Sequence, residues 1–195
     1  LSLSSILFPI ITFPYITRVL GVETNGAISF ATTVVNYFSL FATLGISSYG
    51  VKACAQAKDD RDQLSIVTQE LLMISSIAAI IVLAVLYFSL WFVPQFKGYR
   101  SLMMVYSVNI VLNVLGMNWM YQGIEKYKYI TTRSITFKII SIVLMFIFVK
   151  KPSDGIIYSI ISVIAVGAGN ILNIIYSHNY ISFKRYNEYH FKRHL

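Results

Sequence analysis

Charge is what this chain most lacks: Asp, Glu, Lys and Arg together supply 12% of its 195 residues. A soluble domain carries about twice that fraction. With 56% hydrophobic residues and a mean hydropathy of +0.67, the chain holds more apolar surface than a domain of its size can hide from water. Cysteine is nearly absent. The single Cys54 permits no internal disulfide and has no metal-ligand spacing around it. Carboxylates are missing from the apolar runs: Glu23, Asp59, Asp60, Asp62, Glu125, Asp154 and Glu188 fall in connections, and Glu70 at the edge of a run. Long polar stretches are missing too. Six apolar stretches of about 20 residues each would consume most of the chain, leaving no room for a sizeable soluble enzyme domain. The composition is that of a membrane protein.

What is present is a series of uncharged or nearly uncharged runs, at about 1–17, 26–50, 71–94, 102–122, 129–149 and 155–177. At 1.5 Å rise per residue, runs of this length cross the roughly 30 Å hydrocarbon layer as helices. The expected fold is therefore an all-α membrane protein with six transmembrane helices over 1–178, followed by a basic, aromatic cytoplasmic linker over 179–195. Pro9 and Pro14 are compatible with a kinked first span. The chain opens at Leu1, so a start further upstream is expected.

The formal charge of +8 would suggest nucleic acid in a soluble chain, but here the cations flank apolar spans and set topology. One side collects Lys52, Lys58, Arg61, Lys126, Lys128, Lys184, Arg185, Lys192 and Arg193; the other collects Arg18, Lys97, Arg100, Lys150 and Lys151. The richer side is expected to be cytoplasmic, placing both visible ends there. Trp91, Tyr99, Trp119 and Tyr121 fall near span ends, as an interfacial aromatic belt requires.

The second span carries a polar stripe. Asn25, Ser29, Thr32, Asn36, Ser39, Thr43 and Ser47 recur at steps of three or four and share one helix face. Two readings remain open: these groups hydrogen-bond neighbouring helices, or they line a hydrophilic cavity. The fourth span repeats the theme with Asn109, Asn113, Asn118 and Gln122. The sixth adds Asn170 and Asn173, with Gly167 and Gly169 offering another helix a close approach. The third, around Ala78 to Leu83, reads as mostly lipid-facing. In the fifth, Thr131, Ser134, Lys138 and Ser141 share a face, and Lys138 lies about 13 Å along the helix from Tyr129. A cation at that depth is a functional candidate by default, with snorkelling to the headgroups as the alternative. The same alternative applies to Arg133, and Arg18 reads either as an interface anchor or as a substrate clamp. Amides and hydroxyls with fixed positive charge suit an anionic, hydroxyl-rich cargo.

Several segments carry a family resemblance. P-Y-I-T-R-V-L-G-V at Pro14 to Val22, N-G-A-I-S-F-A after it, L-G-I-S-S-Y-G-V-K at Leu44 to Lys52 and W-M-Y-Q-G-I-E-K-Y-K-Y-I at Trp119 to Ile130 together resemble the polysaccharide-transporter family. That family comprises O-antigen and capsule oligosaccharide flippases, in one superfamily with the multidrug and toxin extruders (MATE). The resemblance implies that the six helices form one lobe of a MATE-like two-lobe transporter. It further implies flipping of undecaprenyl-pyrophosphate-linked oligosaccharide repeat units across the bacterial inner membrane by alternating access, for O-antigen or capsular polysaccharide biosynthesis. Glycan polymerase and assembly proteins are the partners implied, with no cofactor and no metal. Relatives would continue into a seventh helix after the final F-K-R-H-L, so the chain is expected to be a fragment or a truncated product. Arg18, Arg133 and Lys138 match the family's cationic cavity residues as candidates, and Asn25, Asn36, Asn109 and Asn113 are the candidate hydroxyl contacts.

Three other functions compete. A multidrug antiporter of the same fold would call for buried carboxylates, which the spans lack. A membrane glycan polymerase or ligase needs a nucleophile, an acid or base, or a metal gathered at one place; His178, His190 and His194 all sit in the last 18 residues of the numbered chain, and no outer loop is long. An accessory membrane protein gains weight only if the chain is complete. The expectation is therefore a transporter and not an enzyme.

Overall fold

The computed structural model describes residues 2–43, 45–184 and 186, with side chains at position 10 and from 12 onward. Among the described residues there are seven α-helices, two short 3₁₀ turns and no strand. The helices are α1 (Ser2–Thr43), α2 (Ile46–Ala57), α3 (Arg61–Phe92), α4 (Arg100–Leu115), α5 (Asn118–Gly123), α6 (Tyr127–Phe148) and α7 (Gly155–Ser177). Five segments are long and apolar enough to cross a membrane. The chain is an all-α, multi-pass membrane protein.

The first of those segments lies within α1, which comprises two passes joined at a kink. Gly21 sits inside it at φ 80 and ψ 168, a conformation that costs a residue with a Cβ dearly and glycine little. A straight helix would set Thr12 and Asn36 about 36 Å apart, yet both line one cleft. The arms 2–20 and 22–43 therefore fold back on each other at Gly21. This accounts for the first two expected spans.

Contacts sort the connections to two ends of the bundle. At one end Tyr15 donates to the Val149 carbonyl at 2.8 Å, Phe30 packs on Tyr99 at 4.8 Å between ring centroids, and Thr24 faces Gly155. At the other, Lys58 pairs with Glu125 at 3.2 Å and Arg61 donates to the His178 carbonyl at 3.0 Å. Among the described residues, the two loop groups that charge counting assigned to opposite sides do lie at opposite ends, while Arg185, Lys192 and Arg193 lie outside the described residues.

Several boundaries differ from the apolar runs. The second pass stops at Thr43; Gly45, at φ 72, starts the separate α2, so 26–50 is not one helix. The third pass begins at Arg61, capped by the Asp60 carboxylate accepting from the Asp62 and Gln63 N–H groups, about ten residues ahead of the apolar run. Glu70 consequently lies inside a helix and is fully buried. The 102–122 run breaks at Gly116 and Met117, where Met117 takes the left-handed φ of 44. Passes 129–149 and 155–177 are α6 and α7 within two residues.

Two apolar clusters fill the interior. One, towards the Gly21 end, gathers Ile16, Leu20, Val35, Leu86, Met103 and Ile110. The other, towards the Lys58 end, gathers Cys54, Leu64, Leu71, Trp119, Met120 and Tyr121. Trp119 and Tyr121 are thus core residues and not an interfacial belt, because α5 turns inward after the break. Trp91, at 66% exposure, is placed as a belt residue would be. α3 is two-faced: Ile77, Ile80, Ile81 and Phe88 point outward, while Ala79, Val82, Leu86 and Leu90 pack inward. Gly167 and Gly169 do permit close approach, of Leu112 from α4 and Arg133 from α6 respectively. Residues 179–184 turn back over α3, where Ser182 N–H donates to Ser65 Oγ and Gln69 donates to the Ser182 and Lys184 carbonyls. His190, His194, Glu188 and the rest of 187–195 lie outside the described residues, as does Arg185.

Candidate functional site

The stripe on the second arm of α1 opens onto two neighbouring clefts. One, of about 560 Å³, lies among both arms of α1, α4 and α7, and Asn25, Ser29, Thr32, Asn36, Asn109 and Asn113 line it. The other, of about 530 Å³, lies nearer α2 and α5, with Ser39, Thr43, Ser47 and Gln122 in its wall. Thr33, Asn36 and Asn113 border both. Every member of the expected stripe therefore lines a cleft. Two of its hydroxyls bond within their own helix: Thr32 donates to the Ile28 carbonyl at 2.8 Å and Thr43 to the Leu40 carbonyl at 3.0 Å. Such back-bonding satisfies a hydroxyl without joining helices. Asn109 Oδ1 is buried with no hydrogen-bond partner, which leaves an acceptor in the wall of the larger cleft. Tyr106 and Tyr158 complete that wall.

A second set of amides, overlapping the first at Asn113, does join helices. The break after α4 frees backbone groups that must be satisfied inside the bundle, and Asn173 of α7 donates to the Gly116 carbonyl and, at 3.0 Å, to Asn118 Oδ1. Asn118 donates to Asn170 Oδ1 at 3.2 Å, and Asn170 donates to Asn113 Oδ1 at 3.2 Å. Arg133 of α6 reaches into the same network, donating to Asn118 Oδ1 at 3.1 Å and to the Gly169 carbonyl at 3.0 Å. Tyr121 donates to the Asn173 carbonyl. Four helices meet on one guanidinium and four asparagines.

The seven candidate residues thus separate into three groups. Asn25, Asn36, Asn109 and Asn113 converge on the larger cleft. Arg133 and Lys138 border a smaller pocket of about 280 Å³ between α6 and α7, which shares Ser162 and Val166 with that cleft. The cations and the carboxamides therefore stand on opposite sides of α7. Arg18 is exposed near the Gly21 end and lines neither cleft. Tyr106 and Tyr158 were not legible as wall residues, since each stands among mostly aliphatic neighbours. The bracing by Asn118, Asn170 and Asn173 was hidden because their partners lie more than fifty residues away.

A family model described as Polysaccharide biosynthesis protein matches residues 1–195, the full length given. The chain belongs to this family. Among curated relatives, a protein of Escherichia coli (strain K12) named "Putative O-antigen transporter" is 29% identical over 151 residues, covering 77% of this chain and 36% of the relative. A protein of the same name from Shigella dysenteriae is 28% identical over 148 residues, covering 76% of this chain and 37% of the relative. This member of the family spans little more than a third of the length of these two relatives. No solved structure matches it significantly.

Proposed function

We propose that this chain forms one lobe of a MATE-like two-lobe transporter that flips undecaprenyl-pyrophosphate-linked oligosaccharide from the cytoplasmic to the outer leaflet of the bacterial inner membrane, without catalysing a reaction. The observation that carries the reading is the convergence of four carboxamides from the second and fourth passes on one 560 Å³ cleft. Amides with paired donors and acceptors replace the water around sugar hydroxyls, and the volume falls within the range of small-molecule sites. The chain's membership of the polysaccharide biosynthesis family and the printed names of its relatives support the same cargo class. Phe13, Tyr37 and Leu40, exposed along the cleft rims, face the position of a second lobe in this reading. Rocking of the two lobes about the cleft supplies alternating access. The Lys58 end, richer in Lys and Arg, is the cytoplasmic one. A glycan polymerase and assembly proteins are the partners proposed.

The test is replacement of the complete gene, in a host that makes the polysaccharide, by a variant with Asn36→Leu and Asn113→Leu. Surface glycan should fall severely at unchanged membrane abundance of the transporter. Normal surface glycan in that strain overturns the reading.

A further inference from the structure

On the outside of the bundle, away from the carboxamide clefts, α6 and α7 enclose a groove of about 670 Å³ at the Lys58 end. Lys126, Lys128 and Arg133 line it. Among the described residues Glu125 is the only acid in its wall, and Lys58 holds that carboxylate at 3.2 Å. The groove is accordingly cationic. Its floor is a ladder of phenols: Tyr129 stacks on Tyr176 at 4.3 Å between ring centroids, and Tyr176 meets Tyr180 edge-on at 5.5 Å. Lys126 Nζ stands 5.4 Å from the Tyr180 ring and Arg133 Cζ 5.9 Å from that of Tyr129, distances at which a ring face attracts a cation. Burial pushes the Tyr180 phenol up to about 12, with its hydrogen bond to Tyr176 adding to the shift. It therefore brings no negative charge at neutral pH.

The other end of the groove is apolar. Phe137 and Leu172 close it, and their neighbours Ile139, Ile140 and Ile175 are exposed on the same helices. Phe137 lies about 16 Å along the helix axis from Lys126, roughly half the hydrocarbon thickness. A soluble anion would use only the cationic end. A molecule with a phosphate at one end and a hydrocarbon chain at the other uses both.

We propose that this groove binds an anionic membrane phospholipid, with its phosphate between Lys126 and Lys128 and an acyl chain against Phe137 and Leu172. Arg133 lends its charge to the groove while two of its five N–H groups are held by Gly169 and Asn118. Basic pockets between helices at the membrane interface recognise anionic headgroups through this combination of fixed charge and apolar wall. The site is independent of the cargo cleft, from which the Arg133 and Asn118 network separates it.

The experiment is native mass spectrometry of the purified protein in detergent, titrated with phosphatidylglycerol or phosphatidylcholine. Phosphatidylglycerol should be retained in preference, and Lys126→Gln with Lys128→Gln should weaken its binding by roughly tenfold or more. Both lysines are exposed, so the double variant should fold. Lys97→Gln with Lys150→Gln removes the same charge at the opposite end and should leave the preference intact. Equal retention of the two lipids, or equal losses in the two double variants, overturns the site. Displacement of phosphatidylglycerol by a polyprenyl diphosphate that is itself lost in the Lys126 and Lys128 variant assigns the groove to the carrier lipid and overturns the phospholipid as its occupant.

Discussion

Arg133 offers the sharpest perturbation, because one side chain bears on whether the interior cations brace the bundle or face a cargo. Its guanidinium makes two charge-assisted hydrogen bonds, to Gly169 and Asn118, while its Nε is buried without a partner. In water-soluble proteins each such bond contributes about 1.5–3 kcal/mol; between helices in a membrane the average is nearer 0.6 kcal/mol. Arg133→Met removes both bonds, leaving Asn118 Oδ1 with Asn173 as its donor, but it also relieves the incompletely satisfied guanidinium. The balance is a loss of about 1–2 kcal/mol. For a domain of this size that lowers the melting temperature by about 3–6 °C. Trp119 lies beside Asn118 in α5, so tryptophan fluorescence of the detergent-solubilised protein on heating reads the relevant region. Arg133→Lys keeps the charge but has one attachment point in place of two, and should recover only part of the loss. An unchanged melting temperature for Arg133→Met refutes the bracing argument. If polysaccharide export were lost at the same time, the residue would belong to the cargo path.

Other consequences can be checked separately. Cysteines placed at Asn36 and Asn113 should react with a membrane-impermeant thiol reagent, against a silent background because Cys54 is fully buried; no labelling in any state would mean dry packing. Lys138→Ala in the complete transporter should abolish surface glycan without lowering membrane abundance, and normal export would assign Lys138 a purely interfacial or packing role. Gly123→Val should destabilise by about 1–3 kcal/mol, since even a Cβ there meets the Val51 carbonyl oxygen at 2.8 Å; Gly26→Ala, with nothing within 4 Å of its Cβ, is the control, and equal melting shifts for the two would contradict the close α2 and α5 contact.

Much of this architecture is legible in the chain itself. Scarce charge and apolar runs of membrane length announce an all-helical, multi-pass protein, and the distribution of Lys and Arg already separates the two ends that the contacts confirm. The stripe from Asn25 to Ser47 is readable because side-chain direction along a helix repeats every 3.6 residues. Local periodicity needs no knowledge of neighbours.

What periodicity does not carry is the identity of the partner across a helix interface. Asn113 and Asn118 look alike in sequence, five residues apart, yet Asn113 borders both clefts and accepts from Asn170 alone, whereas Asn118 borders only the smaller cleft and ties α5 to α6 and α7 through Arg133, Asn170 and Asn173. The break at Gly116 and Met117 decides this. It rotates α5 away from the axis of α4, turns Trp119 and Tyr121 inward, and exposes a backbone carbonyl that Asn173 must satisfy. Arg133 and Lys138 were readable as unusual cations, but their separation from the carboxamides by α7 depends on how three helices pack. Composition and period act within a segment; which partners an amide finds is decided where segments meet, in a medium that tolerates no unsatisfied backbone group.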